Sequence, residues 1–490
     1  VNAVKYGIPL RSFLATFRFP SILYCQILSP VEMVGTSVAG KAGMDLIPEP
    51  VTIRMIRASL VTTPSLMAVL RPATVVADSG HGKIPSVRVI SAVASRASGV
   101  LTAMAVPPVA GDLVFVFRGD GTNNGLSGAV NLPEGVSLVG EGLGLAFPDI
   151  ASEQSSVQAR EILPRGQFPQ LTGPINLSRD NLVGGLSFDQ LNRNFISGSS
   201  FSNASLVGNQ FTIPTFGGPS ILLTDYSGEL VIVGNEFKGG NVIINQSDSG
   251  SLTIRDNVFP SSGANGLELN MKGGSNTLSV VGNQAQSWVK LLVLTTSNDA
   301  FVEGTVSNNT STNAVVGMEF SGGSSRAANL DFSNNSISAS IYCLDISGAL
   351  SAQIDNNSLT VTEGGNSAIF IQEPSLNARF QVTGNTISDP LNNQPISILV
   401  GTGGVGYYSV QLRDNVVTGS TSAGFTAQGF AGQCIDMVGN TFPLVSFDNR
   451  SCDVERFNSA SGGPLGSINT IGSIQDQIGV TARPAGFCGF

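Results

Sequence analysis

The chain has 490 residues, of which only 12% are charged, and its 25 basic and 34 acidic side chains give a net charge of −9. This balance excludes the basic surface expected of a nucleic-acid-binding protein. The sequence contains no apolar run of about 18 or more residues and therefore predicts no membrane span. The single histidine, His81, and the lack of cysteine pairs at metal-ligand spacing predict neither a metal site nor a cofactor.

The first part of the chain, residues 1–110, has no repeat and holds ten of the 24 prolines. Its fold is unclear from the sequence, although short apolar stretches there could form strands. The first residue is Val1, so we expect a processed chain or one cut from a larger protein. The character changes at Gly111, because residues 112–117 are an apolar run typical of a buried strand, and residues 129–142 contain two short strands around a turn.

The remainder is dominated by one pattern, h-x-h-x-[GDN]-Asn-x-h, in which h is mostly apolar or small. Neighbouring copies lie 22 to 30 residues apart, and a period of this size is typical of a solenoid. Ten copies in one register make an ordinary sandwich with Asn-Gly turns a poorer explanation. The copies place their asparagines at Asn209, Asn235, Asn257, Asn283, Asn309, Asn335, Asn357, Asn385, Asn415 and Asn440.

Each copy predicts a strand, a sharp bend and a second strand. The residues five and three places before each asparagine are mostly apolar, which is the two-residue period of a β-strand. The Gly, Asp or Asn immediately before the asparagine tolerates a left-handed backbone and so ends the strand. Because stacked coils lie about 4.8 Å apart, we expect the ten asparagines to form a ladder of hydrogen-bonded amides.

Residues 133–142, Pro-Glu-Gly-Val-Ser-Leu-Val-Gly-Glu-Gly, followed by asparagine-bearing coils, resemble the opening coils of the pectin-lyase-like right-handed parallel β-helix superfamily. In character the chain is similar to the large secreted or surface β-helix proteins of bacteria. The predicted fold class is therefore all-β, a right-handed parallel β-helix. We predict three regions: 1–110 of unclear fold, 111–445 as the β-helix, and 446–490 as a C-terminal cap.

The resemblance does not carry over a catalytic site. Hydrolases of the superfamily use clustered aspartates with a nearby histidine, and the predicted solenoid has no histidine. Its calcium-dependent lyases use clustered acidic residues with an arginine, and neighbouring coils here show no such cluster. The remaining candidates for catalysis are Asp331 and Asp355, which the register places on adjacent coils about 8 Å apart, a separation found in inverting glycosidases. Two isolated surface acids would give the same sequence.

A second candidate site is the outward column four places before each asparagine, which includes Gln353, Gln381 and Gln411. Regularly spaced amides and carboxylates could bind the hydroxyl groups of a polysaccharide, although a solvated face has the same composition. Of the five cysteines, Cys434 and Cys452 could form a disulfide at the end of the solenoid.

The sequence favours a secreted or cell-surface protein with a structural or adhesive role. Its strand faces are candidates for binding polysaccharide. The alternative is a polysaccharide lyase or glycoside hydrolase with an atypical site. Oligomeric state and ligand identity are not predicted.

Overall fold

The structure is a computed structural model, and it forms two compact units, Val1–Ser187 and Phe188–Phe490. The described residues are 25–26, 31–33, 51–53, 57–58, 73–75, 78–79, 82–83, 87–89, 108–116, 129–146, 161–163, 165–189, 194–213, 218–260, 265–286, 290–297, 300–323, 328–348, 350–362, 367–372, 378–389, 395–400, 407–419, 425–429, 432–442, 444–456, 473–482 and 487–490.

The first unit contains short antiparallel pairs and the beginning of a parallel stack. In the stack, Leu113–Val116, Ser137–Gly140 and Asn181–Gly184 pair in parallel, and Val130–Asn131 pairs with Ile175–Asn176. Further strands are Gln170–Leu171 and Ser187–Asp189, and the latter contains the boundary between the units. The antiparallel pairs are Cys25–Gln26 with Arg57–Ala58, Val31–Met33 with Val51–Ile53, Ala73–Val75 with Val87–Val89, Asp78–Ser79 with Gly82–Lys83, and Leu145–Ala146 with Glu161–Leu163.

The second unit is a stack of coils, and each coil contributes one strand to each of three parallel sheets. The sheet that leads into the asparagines is called the ladder sheet. Its strands are Ser202–Val207, Ser227–Val233, Gly250–Arg255, Ser275–Val281, Phe301–Ser307, Ala328–Ser333, Leu350–Asp355, Arg379–Thr383, Tyr407–Arg413 and Gly432–Val438.

The corner sheet follows each asparagine, and the return sheet leads back to the next coil. The corner sheet contains Gln210–Thr212, Glu236–Lys238, Val258–Phe259, Gln284–Gln286, Ser358–Val361, Thr386–Ser388 and Val416–Thr418. The return sheet contains Ile196–Ser199, Ile221–Thr224, Val242–Gln246, Leu267–Met271, Leu292–Thr296, Ser367–Gln372, Ile396–Val400 and Phe425–Gly429. Thr310–Ser321 and Ser336–Ser347 run through both sheets.

The parallel pairing continues beyond the last ladder asparagine. Leu444–Arg456 pairs with the preceding coil and then with Ser473–Ala482. No helix occurs in the described part of the chain. The predicted all-β parallel β-helix is thus confirmed, whereas the three predicted region boundaries stay a prediction.

The core lies inside the coils and consists of stacked apolar side chains. Leu230, Leu252 and Leu278 are register partners on successive coils and are buried. In the corner sheet, the rings of Phe211, Phe237 and Phe259 stack with centroids 4.8 and 4.9 Å apart. Since each fully buried side chain of this size contributes about 1.5–3 kcal/mol, stacking neighbours supplies most of the stability of a coil.

The asparagine ladder forms as predicted. In each of its nine steps the Oδ1 atom of one asparagine accepts hydrogen bonds from both the backbone N–H and the Nδ2 group of the preceding asparagine. The second Nδ2 hydrogen goes to a backbone carbonyl; Asn335, for example, donates to the Val306 carbonyl. A buried amide with all four bonds made avoids the cost of desolvation.

The residue before every ladder asparagine has a left-handed backbone. The φ angles are between 53° and 70° at Gly208, Gly234, Asp256, Gly282, Asn308, Asn334, Asn356, Gly384, Asp414 and Gly439. Only glycine, and to a lesser extent Asn and Asp, adopts this conformation at low cost. This explains why the pattern accepts only Gly, Asp or Asn at that position.

The predicted disulfide between Cys434 and Cys452 is wrong. Cys434 is bonded to Cys488 instead, with the two Cα atoms 5.4 Å apart. The register partner of Cys434 on the next strand is Asp453, so Cys452 is offset from it by one residue. Cys343 is free and buried.

Candidate functional site

A groove of about 670 Å³ lies on the outer face of the ladder sheet. Its lining is polar and apolar in about equal measure and carries both signs of charge. The side chains come from four successive coils and from residues near the end of the sequence: Glu303, Thr305, Asn329, Asp331, Ser351, Gln353, Arg379, Gln381, Gly489 and Phe490.

The parallel register explains how distant residues meet in this groove. Thr305 pairs with Asp331, Asp331 with Gln353, and Gln353 with Gln381. Alternate residues of a strand point to the same face, so these four side chains form one column with a spacing of about 4.8 Å per coil. The outward column expected from the sequence therefore exists, and its middle part lines the groove.

The three glutamines proposed from the sequence do not share one environment. Gln353 is exposed and Gln381 half-buried, and both line the groove. Gln411 is only 4% exposed and donates through Nε2 to Oδ2 of Asp436 at 3.0 Å. The same oxygen lies 3.6 Å from Nη2 of Arg413. Gln411 therefore belongs to a buried polar network rather than to the lining of the groove.

Asp331 and Asp355 lie on adjacent strands, as expected. Asp331 pairs with Gln353 and Asp355 with Ser333, so the two aspartates are displaced by two residues along the strands. Only Asp331 is in the lining of the groove. In both residues Oδ1 is buried and has no hydrogen-bond partner within the described structure.

The environment of Asp355 disfavours its charge. Burial raises the pKa of Asp355 above its ordinary value, and the negative charge of Asp331 raises it further. A hydrogen bond with Thr383 acts in the opposite direction and only partly offsets these effects. The pair thus combines a carboxyl with a raised pKa and a second carboxyl beside it, a combination used in acid–base catalysis.

A second polar cluster, which the sequence analysis missed, lies on the return sheet. Glu319 and Asp345 are register partners, and Lys290 forms an ion pair with Glu319. Burial raises the pKa of Asp345, although Gln372 donates a hydrogen bond to it at 3.0 Å and lowers the pKa. Nearby, the half-buried rings of Tyr342 and Phe370 stack at 4.8 Å. The lengths of the loops hid this cluster, because its residues stand at no constant distance from the ladder asparagines.

Among the described residues, no three His, Cys, Asp or Glu side chains come together as a possible metal site. That part of the chain likewise contains no helix long and apolar enough to cross a membrane.

No protein-family model matches the chain, and no curated protein matches it. Among solved structures, the chain is similar to a variant of the catalytic domain of GH87 alpha-1,3-glucanase in complex with tetrasaccharides, at 12% identity and a TM-score of 0.28. The match covers 75% of this chain and 64% of the glucanase chain, so this chain spans less than two thirds of that domain. The parallel ladders and stacked asparagines establish the β-helix independently.

Proposed function

We propose that this β-helix binds a polysaccharide in the groove on the ladder sheet. The observation that carries the proposal is the in-register column of Thr305, Asp331, Gln353 and Gln381, three of which present carboxylate or amide groups to one groove. Carboxylate, amide and hydroxyl groups at a regular spacing match the repeated hydroxyl groups of a sugar chain. With two acidic side chains, Glu303 and Asp331, against one basic side chain, Arg379, the groove carries none of the basic excess that binds the phosphates of a nucleic acid.

We further propose a secreted or cell-surface location, with a structural or adhesive role. The disulfide between Cys434 and Cys488 supports this location, because such bonds persist in oxidising compartments and are rare in the cytosol. The low content of charged residues, 12%, and the stack of coils in the second unit fit an extracellular protein that presents one binding face.

A second candidate function is glycoside hydrolysis, or polysaccharide cleavage by a lyase, on the same sheet, with Asp331 in the groove and Asp355 outside its lining. The specific observation in its favour is the coupled pair of Asp331 and Asp355. In a hydrolase, Asp355 would donate a proton to the glycosidic oxygen, because its raised pKa favours the protonated form. The Asp331 carboxyl would activate a water molecule on the other side of the bond, as in an inverting enzyme.

One experiment separates the two functions. The full chain is incubated with linear polysaccharides such as amylose, curdlan, xylan, chitin and pectate, and both retention of the protein and release of oligosaccharides are followed. Retention without release supports a binding protein. Release that is lost in Asp331→Asn would support the hydrolase or lyase. If no polymer retains the protein and none is cleaved by it, glycan binding is contradicted.

Variants of the full chain then locate the site. Gln353→Ala removes an exposed amide from the groove, and Gln286→Ala removes an exposed amide from the corner sheet. We expect weaker retention for the first variant and unchanged retention for the second. Equal retention of the two variants would place the binding elsewhere on the molecule.

A further inference from the structure

The outer face of the ladder sheet is open at one part of the stack and covered at another. Glu303, Asn329 and Gln353 are exposed on successive coils. Further along the same two columns the outward residues are buried: Gln411, two coils beyond Gln353, is 4% exposed, and Asp436 and Cys434 on the last of these coils are 0% exposed. These residues point outward, since the side chains between them, such as Ile435 and Met437, fill the core. A ligand lying along the column therefore meets covered residues beyond Gln381.

The segment Phe487–Phe490 lies at this transition. Its Cys488 is bonded to Cys434, which fixes the segment to the outer face of the sheet. From there it reaches two coils back along the column that contains Cys434, Ser409 and Arg379. A Cβ atom on Gly489 would lie 3.5 Å from Nη2 of Arg379, and Phe490 lines the groove together with Asp331 and Gln353.

We propose that the groove binds the end of a glycan chain rather than its interior, because the segment held by the disulfide closes the groove on one side. This inference rests on the proposed glycan binding. A sugar chain entering from the coil of Glu303 passes Asp331 and Gln353 and stops at Phe490 and Gly489. Only the last units of the chain then occupy the column, and the aromatic ring of Phe490 contacts the apolar face of the terminal sugar.

The open side of the groove is consistent with this direction of entry. The column continues away from the segment through Ser279 and Thr253, which are register partners and partly exposed. In the column these two coils carry the small side chains of Ser279 and Thr253, so the rest of a polymer can extend over them. The closed side and the open side together define one orientation for the bound chain.

The first test asks whether the segment Phe487–Phe490 shields the outer face of the ladder sheet, and it needs no ligand. Carboxyl groups of the full chain are labelled with a water-soluble carbodiimide and an amine, and labelling is followed by mass spectrometry. In the unmodified protein, Asp436 should be protected and Glu303 labelled. In Cys434→Ser with Cys488→Ser, labelling of Asp436 should approach that of Glu303. Continued protection of Asp436 in this variant would overturn the proposal, provided that circular dichroism shows an intact fold. Asp389, which is buried elsewhere, serves as the control that stays protected.

The second test uses linear oligosaccharides of increasing length, prepared from the polysaccharide that the full chain retains. End binding predicts a dissociation constant per mole of chains that does not change with length. Interior binding predicts that doubling the length halves this constant, because each chain then offers twice as many sites. The second result would overturn end binding and leave the proposed glycan binding intact.

The Phe490→Ala variant keeps the disulfide and opens the groove. It therefore tests the proposal even if the double serine variant fails to fold. We expect this variant to gain binding to chain interiors, seen as a dissociation constant that now falls with length. A constant that stays independent of length in Phe490→Ala would overturn the role of Phe490. Absence of binding to every polysaccharide would overturn end binding together with the proposed function, while the labelling of Asp436 would still decide whether the segment covers the sheet.

Discussion

Oδ1 of Asn335 accepts two hydrogen bonds from Asn309, one from its backbone N–H and one from its Nδ2 group, both at 3.0 Å. Asn309 in turn donates to the Val280 carbonyl at 2.9 Å. Between the two ends of the ladder, each asparagine thus accepts hydrogen bonds from the coil before it and donates to the coil after it. The polar interior of the bend is therefore stable only as a continuous ladder.

Replacement of one rung should destabilise the protein. Asn309→Leu removes the acceptor of the Asn283 N–H and Nδ2 groups and the donor to the Val280 carbonyl. We expect a loss of about 1–3 kcal/mol in the free energy of unfolding. Denaturant unfolding of the full chain measures this loss. Asn329→Leu, at an exposed position on the ladder sheet, is the matched control and should cost much less. Equal unfolding midpoints for the two variants would contradict the ladder.

The left-handed residue before each rung gives a second prediction. Asn334 has a φ angle of 57°. In Asn334→Ala the residue keeps its Cβ atom, which disfavours this conformation, and loses the side-chain amide that compensates for the strain. The expected cost is about 1–2 kcal/mol. Asn334→Gly should be nearly neutral, because glycine adopts positive φ freely. If the alanine and glycine variants unfold at the same denaturant concentration, backbone conformation does not explain why Gly, Asp or Asn precedes each ladder asparagine.

The repeating part of the fold could be predicted from the sequence, whereas the burial of part of the outer face of the ladder sheet could not. Each strand residue stands at a constant sequence distance from its ladder asparagine. This distance predicts the period, the strand positions, the ladder and the column that contains Asp331 and Gln353. Cys488 lies beyond the last repeat, so no register related it to Cys434. For the same reason the sequence could not indicate that Gln411 is buried while Gln353 is exposed. The coupling of Glu319 with Asp345 depends on loops of variable length and was missed.

Asp355 should make the stability of the protein depend on pH. Its pKa is raised in the folded chain, so ionisation above that pKa favours the unfolded chain. Asp355→Asn should therefore raise the melting temperature at neutral pH, and the gain should disappear below the ordinary value of 3.8, where Asp355 is protonated in both states. Asp248→Asn, an exposed control, should show no such gain. A gain that persists at low pH would point to another cause.

The charge of Asp331 contributes to this shift, and its contribution can be measured separately. Asp331→Asn removes the negative charge beside Asp355 and should lower the pKa of Asp355 towards its ordinary value. Carboxyl resonances followed through a pH titration by NMR report this change. An unchanged pKa of Asp355 in Asp331→Asn would show that the two carboxyl groups are not coupled and would remove the main support for a hydrolase.

The disulfide should stabilise the last coils. It joins residues 54 positions apart, and cross-links over loops of this size contribute about 2–4 kcal/mol by restricting the unfolded chain. Cys434→Ser with Cys488→Ser should lower the free energy of unfolding by this amount. Hydrogen exchange should localise the loss to the strands near Cys434, whereas the amides around Asn283 should keep their protection. A uniform loss of protection along the stack would contradict a local role for the bond.

The most direct test of the account is the affinity of the full chain for the polysaccharide that it retains, measured for Gln353→Ala and Gln286→Ala side by side. The two variants remove the same exposed amide from the groove and from the corner sheet, respectively. Loss of a hydrogen-bonded amide worth about 1 kcal/mol predicts a dissociation constant about fivefold higher for Gln353→Ala. Gln286→Ala should bind like the unmodified chain. Unchanged affinity in Gln353→Ala, or an equal loss in both variants, would contradict glycan binding in the groove.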